Sequence, residues 1–277
     1  MTCAELIQWG KVQLENAGIC NASTDAWILF EFVTGMNRTA YYMEPNLQLS
    51  EEAQHSYREK IEIRATRIPL QHITMEQEFM GLSFRVSPDV LIPRQDTEIL
   101  VETALERVEN SMRILDLCTG SGCIIISVLK HATAFDLSGE GADISWPALE
   151  VAMNNARDLE VDVRFTKSDL FQDLEGKYDI ILSNPPYIRS DEIPQLMEEV
   201  RCHEPLIALD GMKDGLDFYR KIVKESRNFL NTKGWLIFEI GHKQGKDVSM
   251  LMKESGYTDV HVIQDLAGLD RVVTGRI

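Results

Sequence analysis

The sequence predicts an α/β protein: a doubly wound, seven-stranded sheet preceded by a small all-helical domain and a β-hairpin linker. Three observations predict it. From about residue 112 onward, short apolar strand patterns alternate with helical ones, as in a sheet covered by helices on both faces. Residues 1–70 show helical periodicity only. Between these regions two alternating runs, QHITMEQEF and LSFRVSP, are split by Met80-Gly81, which reads as a hairpin. A chain of 277 residues accommodates one small domain attached to a medium one, and the expected divisions are 1–70, 71–95 and 96–277.

In the helical domain, apolar positions recur at helical spacing in Ala4, Leu6, Ile7, Val12 and Leu14, and again in Ala26, Ile28, Leu29, Phe32 and Val33. Ser23, Thr24 and Asp25 offer an N-cap to the second helix. A third helix starts after Ser50 and ends before Pro69. The next helix opens near Asp96 or Thr97. The strands beyond it are MRILDL, GADIS, VDVRFTK, YDIILS, WLIFEIG, DVHVIQDL and RVVTGRI. Ligands of such sheets sit beyond the carboxyl ends of the strands, so the segments that follow the strands are where chemistry is sought.

Composition narrows the classes. A formal net charge of −16 weighs against direct nucleic-acid binding, whose sequence-independent affinity comes from Lys and Arg on phosphates. The five cysteines are odd in number and scattered, which suggests reduced thiols in a cytoplasmic protein rather than a disulfide framework. Cys118 and Cys123 lack a second ligand pair, and no metal site is expected. No apolar run approaches the roughly 20 residues that span a bilayer.

Three strand ends describe a nucleoside pocket. ILDLCTGSGCIII, residues 114–126, is a strand, a glycine turn and a helix. Gly120 and Gly122 let a ligand approach the backbone, and the helix N-terminus offers free N–H groups. Ile125 stands where a dinucleotide-binding motif has its third glycine. Asp143, at the end of the second strand in GEGADIS, suits both hydroxyls of a ribose; Asp136 is the competitor. Asp169, after the third strand, can accept from an exocyclic amine while Leu170 or Phe171 covers a purine face, though a turn or capping role serves it as well. With no phosphate-binding lysine in the pattern, S-adenosylmethionine is favoured over NAD or ATP.

The fourth strand, YDIILS, runs into NPPY. The prolines fix φ and withhold N–H groups, so this turn is stiff. The Asn184 side-chain oxygen and the Pro185 carbonyl can accept both N–H bonds of a planar –NH₂ group, with Tyr187 against its flat face. An amide nitrogen is a poor nucleophile, and orienting its lone pair toward an electrophilic methyl can contribute roughly 7–11 kcal/mol. Asn184, Pro185, Pro186 and Tyr187 are therefore the candidate catalytic set.

On these residues the sequence resembles the class I S-adenosylmethionine-dependent methyltransferases, and within them the peptide chain release factor N5-glutamine methyltransferases (the HemK/PrmC family). The resemblance runs over nearly the whole chain: PLQHITMEQEFMGLSFRV, VLIPRQDTEILVE, DLCTGSG, ADISWPALEVA, SNPPYI, HEPLIALDGMKDGLDFYRKI, FEIGHKQG and DLAGLDRVV. NPPY alone is shared with DNA adenine and ribosomal RNA guanine methyltransferases; LIPR, GLDFY and DLAGLDRVV are more specific. The resemblance implies a Rossmann-like methyltransferase sheet and a cofactor cradle at Cys118, Thr119, Gly120, Ser121 and Gly122. It further implies ribose binding by Asp143, adenine contacts by Asp169 and Leu170, and Asn184 between cofactor and substrate. The implied substrate is the glutamine of the Gly-Gly-Gln loop in class I release factors, gripped with help from the helical domain. A monomer is expected, with no membrane and no nucleic acid as partner. The alternatives are N-methylation of a nucleic-acid base or of a glutamine in a ribosomal protein. Two residues depart from the family pattern. Gln95 stands for the more usual proline of LIPRPDTE. Cys118 stands where the turn more often has glycine, and since cysteine resists positive φ, a negative φ is expected there. Residues 131–142, HATAFDLSGEGA, are an unusual approach to the ribose aspartate.

Overall fold

The computed structural model describes residues 1–277. The chain divides into two compact units: Met1–Met75 with Met197–His203, and Glu76–Leu196 with Glu204–Ile277.

The first unit is helical: α1 (Cys3–Asn16), α2 (Ala22–Thr34), α3 (Arg38–Met43), α4 (Glu51–Ala65) and α5 (Leu70–Thr74). Thr2 and Glu5 close a capping box at the start of α1, and Ser50 caps α4 through the Ala53 N–H, so both helices begin where polar side chains satisfy orphan donors. The second helix starts earlier than its Ser-Thr-Asp signal suggested. Asn21 is its N-cap residue, without a side-chain bond. Ser23 and Thr24 are exposed in the first turn, and Asp25 is buried against Arg64 of α4, 2.7 Å from Oδ2 to Nε. Arg64 also reaches Glu199 at 2.9 Å, on the short helix α9 (Glu198–His203) that belongs to this unit. Tyr57 of α4, fully buried, donates to the Ala26 carbonyl of α2 at 3.0 Å. Residues 70–74, expected to begin a strand, form a helical turn instead: Leu70 and Ile73 both face the unit's apolar core, and a spacing of three puts them on one helical side.

In the second unit, β1 (Glu76–Phe79) and β2 (Leu82–Arg85) form the expected hairpin. Met80 and Gly81 both have positive φ, 52° and 70°, as a tight two-residue turn requires. The hairpin is tied to this unit: Asn155 bonds the Arg85 N–H and carbonyl and the Ser121 carbonyl. The remaining elements are α6 (Glu98–Leu105), β3 (Arg113–Leu117), α7 (Cys123–His131), β4 (Ser138–Asp143), α8 (Trp146–Asp158), β5 (Val163–Lys167), β6 (Tyr178–Ser183), α10 (Asp217–Ser226), β7 (Leu230–Glu239), α11 (Gly245–Glu254), β8 (Thr258–Gln264) and β9 (Asp270–Arg276).

The seven strands lie in the order β5-β4-β3-β6-β7-β9-β8. Strands β3 to β7 run parallel, and β9 and β8 close one edge antiparallel. Successive strand residues alternate between two apolar layers. Ile114, Ile180, Leu182 and Ile237 pack with Leu100 of α6 and Ile124 of α7. Leu115, Ile181, Leu236 and Phe238 pack with Tyr219 of α10 and Val248 of α11. Burial on both faces is why these strands read as unbroken apolar runs. Strand order reverses between β3 and β6, so a crevice opens beyond their carboxyl ends.

Candidate active site

That crevice holds a cavity of about 300 Å³. Among the sequence-predicted residues, Cys118, Thr119, Gly120, Ser121, Asp143, Asp169, Leu170, Asn184 and Pro186 line it. Gly122, Pro185 and Tyr187 do not. Gly122 is the N-cap of α7 at φ 78°, where a Cβ would meet Ala152 at 3.1 Å. Pro185 is buried and Tyr187 half-buried.

The turn after β3 departs from expectation at Cys118, which has a φ of 59°. Its neighbours fix it there. The Thr119 N–H bonds the Ala142 carbonyl at 3.1 Å, the Thr119 hydroxyl donates to Asp116 at 2.6 Å, and the Gly122 N–H closes on the Thr119 carbonyl at 2.8 Å. Together these offset a left-handed cysteine, a strain of order 1–3 kcal/mol. The left-handed turn brings the Gly120 N–H to Asp143 Oδ2 at 2.9 Å, while Asp143 Oδ1 accepts from the Ser145 N–H at 2.9 Å. Burial raises the Asp143 carboxyl's proton affinity, and these backbone donors lower it. Each oxygen keeps a lone pair for a further donor. Asp136 stands before the amino end of β4, exposed and bonded to the Ser111 hydroxyl, at the other end of the strand from Asp143. The third strand end is joined to the second: the Ser168 N–H bonds the Asp143 carbonyl at 3.0 Å and its hydroxyl bonds the Leu170 carbonyl at 2.8 Å.

Beneath the site lie two buried acids, Asp116 and Glu239. Burial pushes each carboxyl up to about 7. The Tyr187 hydroxyl donates to Glu239 Oε1 at 3.4 Å, and the Asn184 nitrogen donates to the Thr97 hydroxyl at 3.4 Å.

Sequence reasoning missed Thr97 and Glu239, together with Arg94, Glu204, Phe218 and Lys221. Arg94, Thr97, Phe218 and Lys221 line the cavity. Glu204, buried, ion-pairs with Arg94 and accepts from the Ile92 N–H, which pins the LIPR loop to the HEPL segment. Those blocks were visible as motifs, but Thr97 stands in no strand-end pattern, and Glu239 ends β7, a strand outside the three ends that describe the nucleoside pocket. The cavity suits a nucleoside sulfonium. A Cβ built on Gly120 would meet nothing within 4 Å, so the space beside that backbone is open, and carboxylates flank it.

A family model described as PrmC N-terminal domain matches residues 5–74, and one described as methyltransferase small domain matches residues 94–201. A release factor glutamine methyltransferase of Geobacter sulfurreducens is 39% identical over all of this chain and 97% of that protein. One of Agrobacterium fabrum is 40% identical over 99% of this chain and 96% of that protein. Among solved structures, a methyltransferase from Pyrococcus furiosus matches with a TM-score of 0.55 at 19% identity, over 77% of this chain and 98% of that one, a likeness of fold. With near-complete mutual coverage at this identity, the chain belongs to the release factor glutamine methyltransferase family.

Proposed function

We propose that this protein transfers a methyl group from S-adenosylmethionine to the side-chain amide nitrogen of the glutamine in the Gly-Gly-Gln loop of class I peptide chain release factors. The observation that carries the reading is Asn184, which stands in the wall of the same cavity as Gly120, Asp143 and Asp169 with its nitrogen directed to Thr97. An asparagine whose nitrogen is occupied has its oxygen left to accept from a substrate amide.

In this reading the residues Cys118 to Gly122 cradle the cofactor, Asp143 accepts from the ribose hydroxyls, and Asp169 with Leu170 meets the adenine. The bound sulfonium supplies an electrophilic methyl group. The chain's own work is positioning. Asn184 Oδ1 and the Pro185 carbonyl accept the two N–H bonds of the glutamine amide and aim its lone pair. They also stabilise positive charge as the new N–C bond forms. The proton leaves to water afterwards, so no general base is needed. Pro185 and Pro186 keep the turn stiff. Tyr187 reaches Glu239, which holds its ring against the turn. The helical unit helps grip the protein substrate. The same reading has the enzyme cytoplasmic and monomeric; five free thiols fit a reducing compartment, and no helix is long and apolar enough to cross a membrane.

The test is mass spectrometry of a class I release factor incubated with the protein and S-adenosylmethionine. One added methyl on the loop glutamine supports the reading. An unmodified release factor beside a methylated nucleic acid or ribosomal protein would reverse it. Asn184→Ala is expected to lower kcat by about 10²–10³-fold, the loss seen when one preorganised polar group is removed, with cofactor binding retained.

A further inference from the structure

The Asn184 carboxamide has two ends of nearly equal size, and only the oxygen end can accept from a substrate amide. Something in the protein must choose between them. Thr97, 2% exposed, ends the short turn Gln95–Thr97 ahead of α6 and faces the Asn184 nitrogen. That turn is braced: Asp96 is ion-paired with Arg271 at 2.9 Å, and Arg271 also holds Asp265 at 2.8 Å. Glu239, 3% exposed, is the last residue of β7. One of its oxygens takes the Tyr187 hydroxyl; the other, Oε2, is buried with no hydrogen-bond partner. A buried carboxylate oxygen without a donor is uncommon and calls for an account. The hydroxyls that act on this carboxyl are Thr97 and Tyr187.

A threonine hydroxyl has one hydrogen and two lone pairs. Given to Glu239, that hydrogen leaves Thr97 with lone pairs alone for Asn184. Building on the amide-methylation reading, we propose that Thr97 and Glu239 are positioning residues that set the Asn184 carboxamide the catalytic way round, nitrogen to Thr97 and oxygen to the cavity. The arrangement depends on Glu239 being an acceptor. Protonated, it could donate to Thr97, which could then donate to the Asn184 oxygen and turn the amide over. The groups that face Glu239 are Tyr187 from the turn after β6, Thr97 and Asp96 from the segment before α6, Arg271 from β9, Cys123 from α7 and Tyr219 from α10.

The full chain is assayed with S-adenosylmethionine and a class I release factor. Thr97→Val keeps the shape and removes the hydroxyl. It is expected to lower kcat by about 10–100-fold, the scale of a misoriented catalytic group, with the cofactor dissociation constant unchanged. Thr97→Ser should restore kcat. In selectively labelled protein, the Asn184 side-chain amide protons should lose their protection in Thr97→Val, a readout independent of turnover. If Thr97→Val does not fold, the pH profile decides: kcat of the unsubstituted protein should rise with pH near neutrality, and Glu239→Gln should abolish that limb. Full activity in Thr97→Val, or an unchanged limb in Glu239→Gln, overturns the proposal. Full activity in Asn184→Ala would instead overturn the amide-clamp reading beneath it.

Discussion

A Cβ placed on Gly211 would lie 2.7 Å from both the Cα and the carbonyl carbon of Tyr187. The loop after NPPY thus runs against the NPPY backbone at a distance only glycine permits. Ile188 is bonded to that loop on both sides: its carbonyl accepts from the Gly211 N–H at 2.7 Å, and its N–H donates to the Leu209 carbonyl at 3.0 Å. Gly215 repeats the arrangement, its added Cβ falling against the Tyr187 carbonyl oxygen. Gly211→Ala must therefore push the catalytic turn. It is expected to cost about 1–3 kcal/mol of stability, as overpacking does, and to lower kcat about 10²-fold through misplaced groups. Chemical denaturation and initial rates check the two numbers. Native stability with native turnover would show that the loops separate freely.

Arg64 carries a different kind of prediction. Its side chain is 6% exposed and Asp25's 8%, and burial raises the Asp25 carboxyl above the ordinary range even with Arg64 beside it. A pair of this sort gains little over an apolar pair but is costly to break, since the remaining charge is stranded. Arg64→Met is expected to lose about 3–5 kcal/mol, whereas Arg64→Met with Asp25→Leu should recover part of it, Glu199 being left without its 2.9 Å partner. Thermal denaturation of the single and double variants measures the difference.

The buried acids predict how stability varies with pH. Burial raises Asp116 from 3.8 to about 7 and Glu239 from 4.5 to about 7. Between pH 4 and 7 the folded protein keeps protons that the unfolded chain has released. By linkage, their contribution is fully present below the unfolded values and is lost as pH rises through 7. Asp116→Asn and Glu239→Gln should each flatten the fall in Tm from pH 5 to pH 7.5. A slope equal to that of the unsubstituted protein would mean these acids are ionised throughout.

Period and punctuation made the sheet legible. Strands buried on both faces announce themselves as apolar runs, and the glycine and proline turns after β3 and β6 mark the crevice. Helix starts were less visible, because Asp25 serves a buried ion pair while looking like a cap. Residues 70–74 alternate loosely enough to mimic a strand, and only the packing of Leu70 and Ile73 in the same core decides for a helical turn. Cys118 was misread from intrinsic preference: a residue that resists positive φ adopts it where Thr119 is bonded on both sides. Thr97 and Glu239 lie 142 residues apart in sequence (239 − 97), and nothing local says that they meet.

The ribose assignment allows a direct contrast between Asp143 and Asp136. Asp143 lines the cavity and already takes two backbone N–H groups, so its carboxylate is held with both oxygens aligned. Asp136 stands ahead of the other end of β4 and bonds only Ser111. A charge-assisted hydrogen bond contributes about 1.5–3 kcal/mol, which sets the scale for losing the ribose contacts. Asp143→Ala is thus expected to weaken S-adenosylmethionine binding by about 10–100-fold, a factor of ten for each 1.4 kcal/mol, while Asp136→Ala leaves it unchanged. Asp143→Asn separates charge from shape: it keeps one acceptor, but the Gly120 and Ser145 N–H groups then compete for it. Its affinity should fall between those of the unsubstituted protein and the alanine variant. Titration calorimetry on the three variants orders them, and a loss confined to Asp136→Ala would move the ribose to the opposite end of the strand and with it the whole orientation of the cofactor.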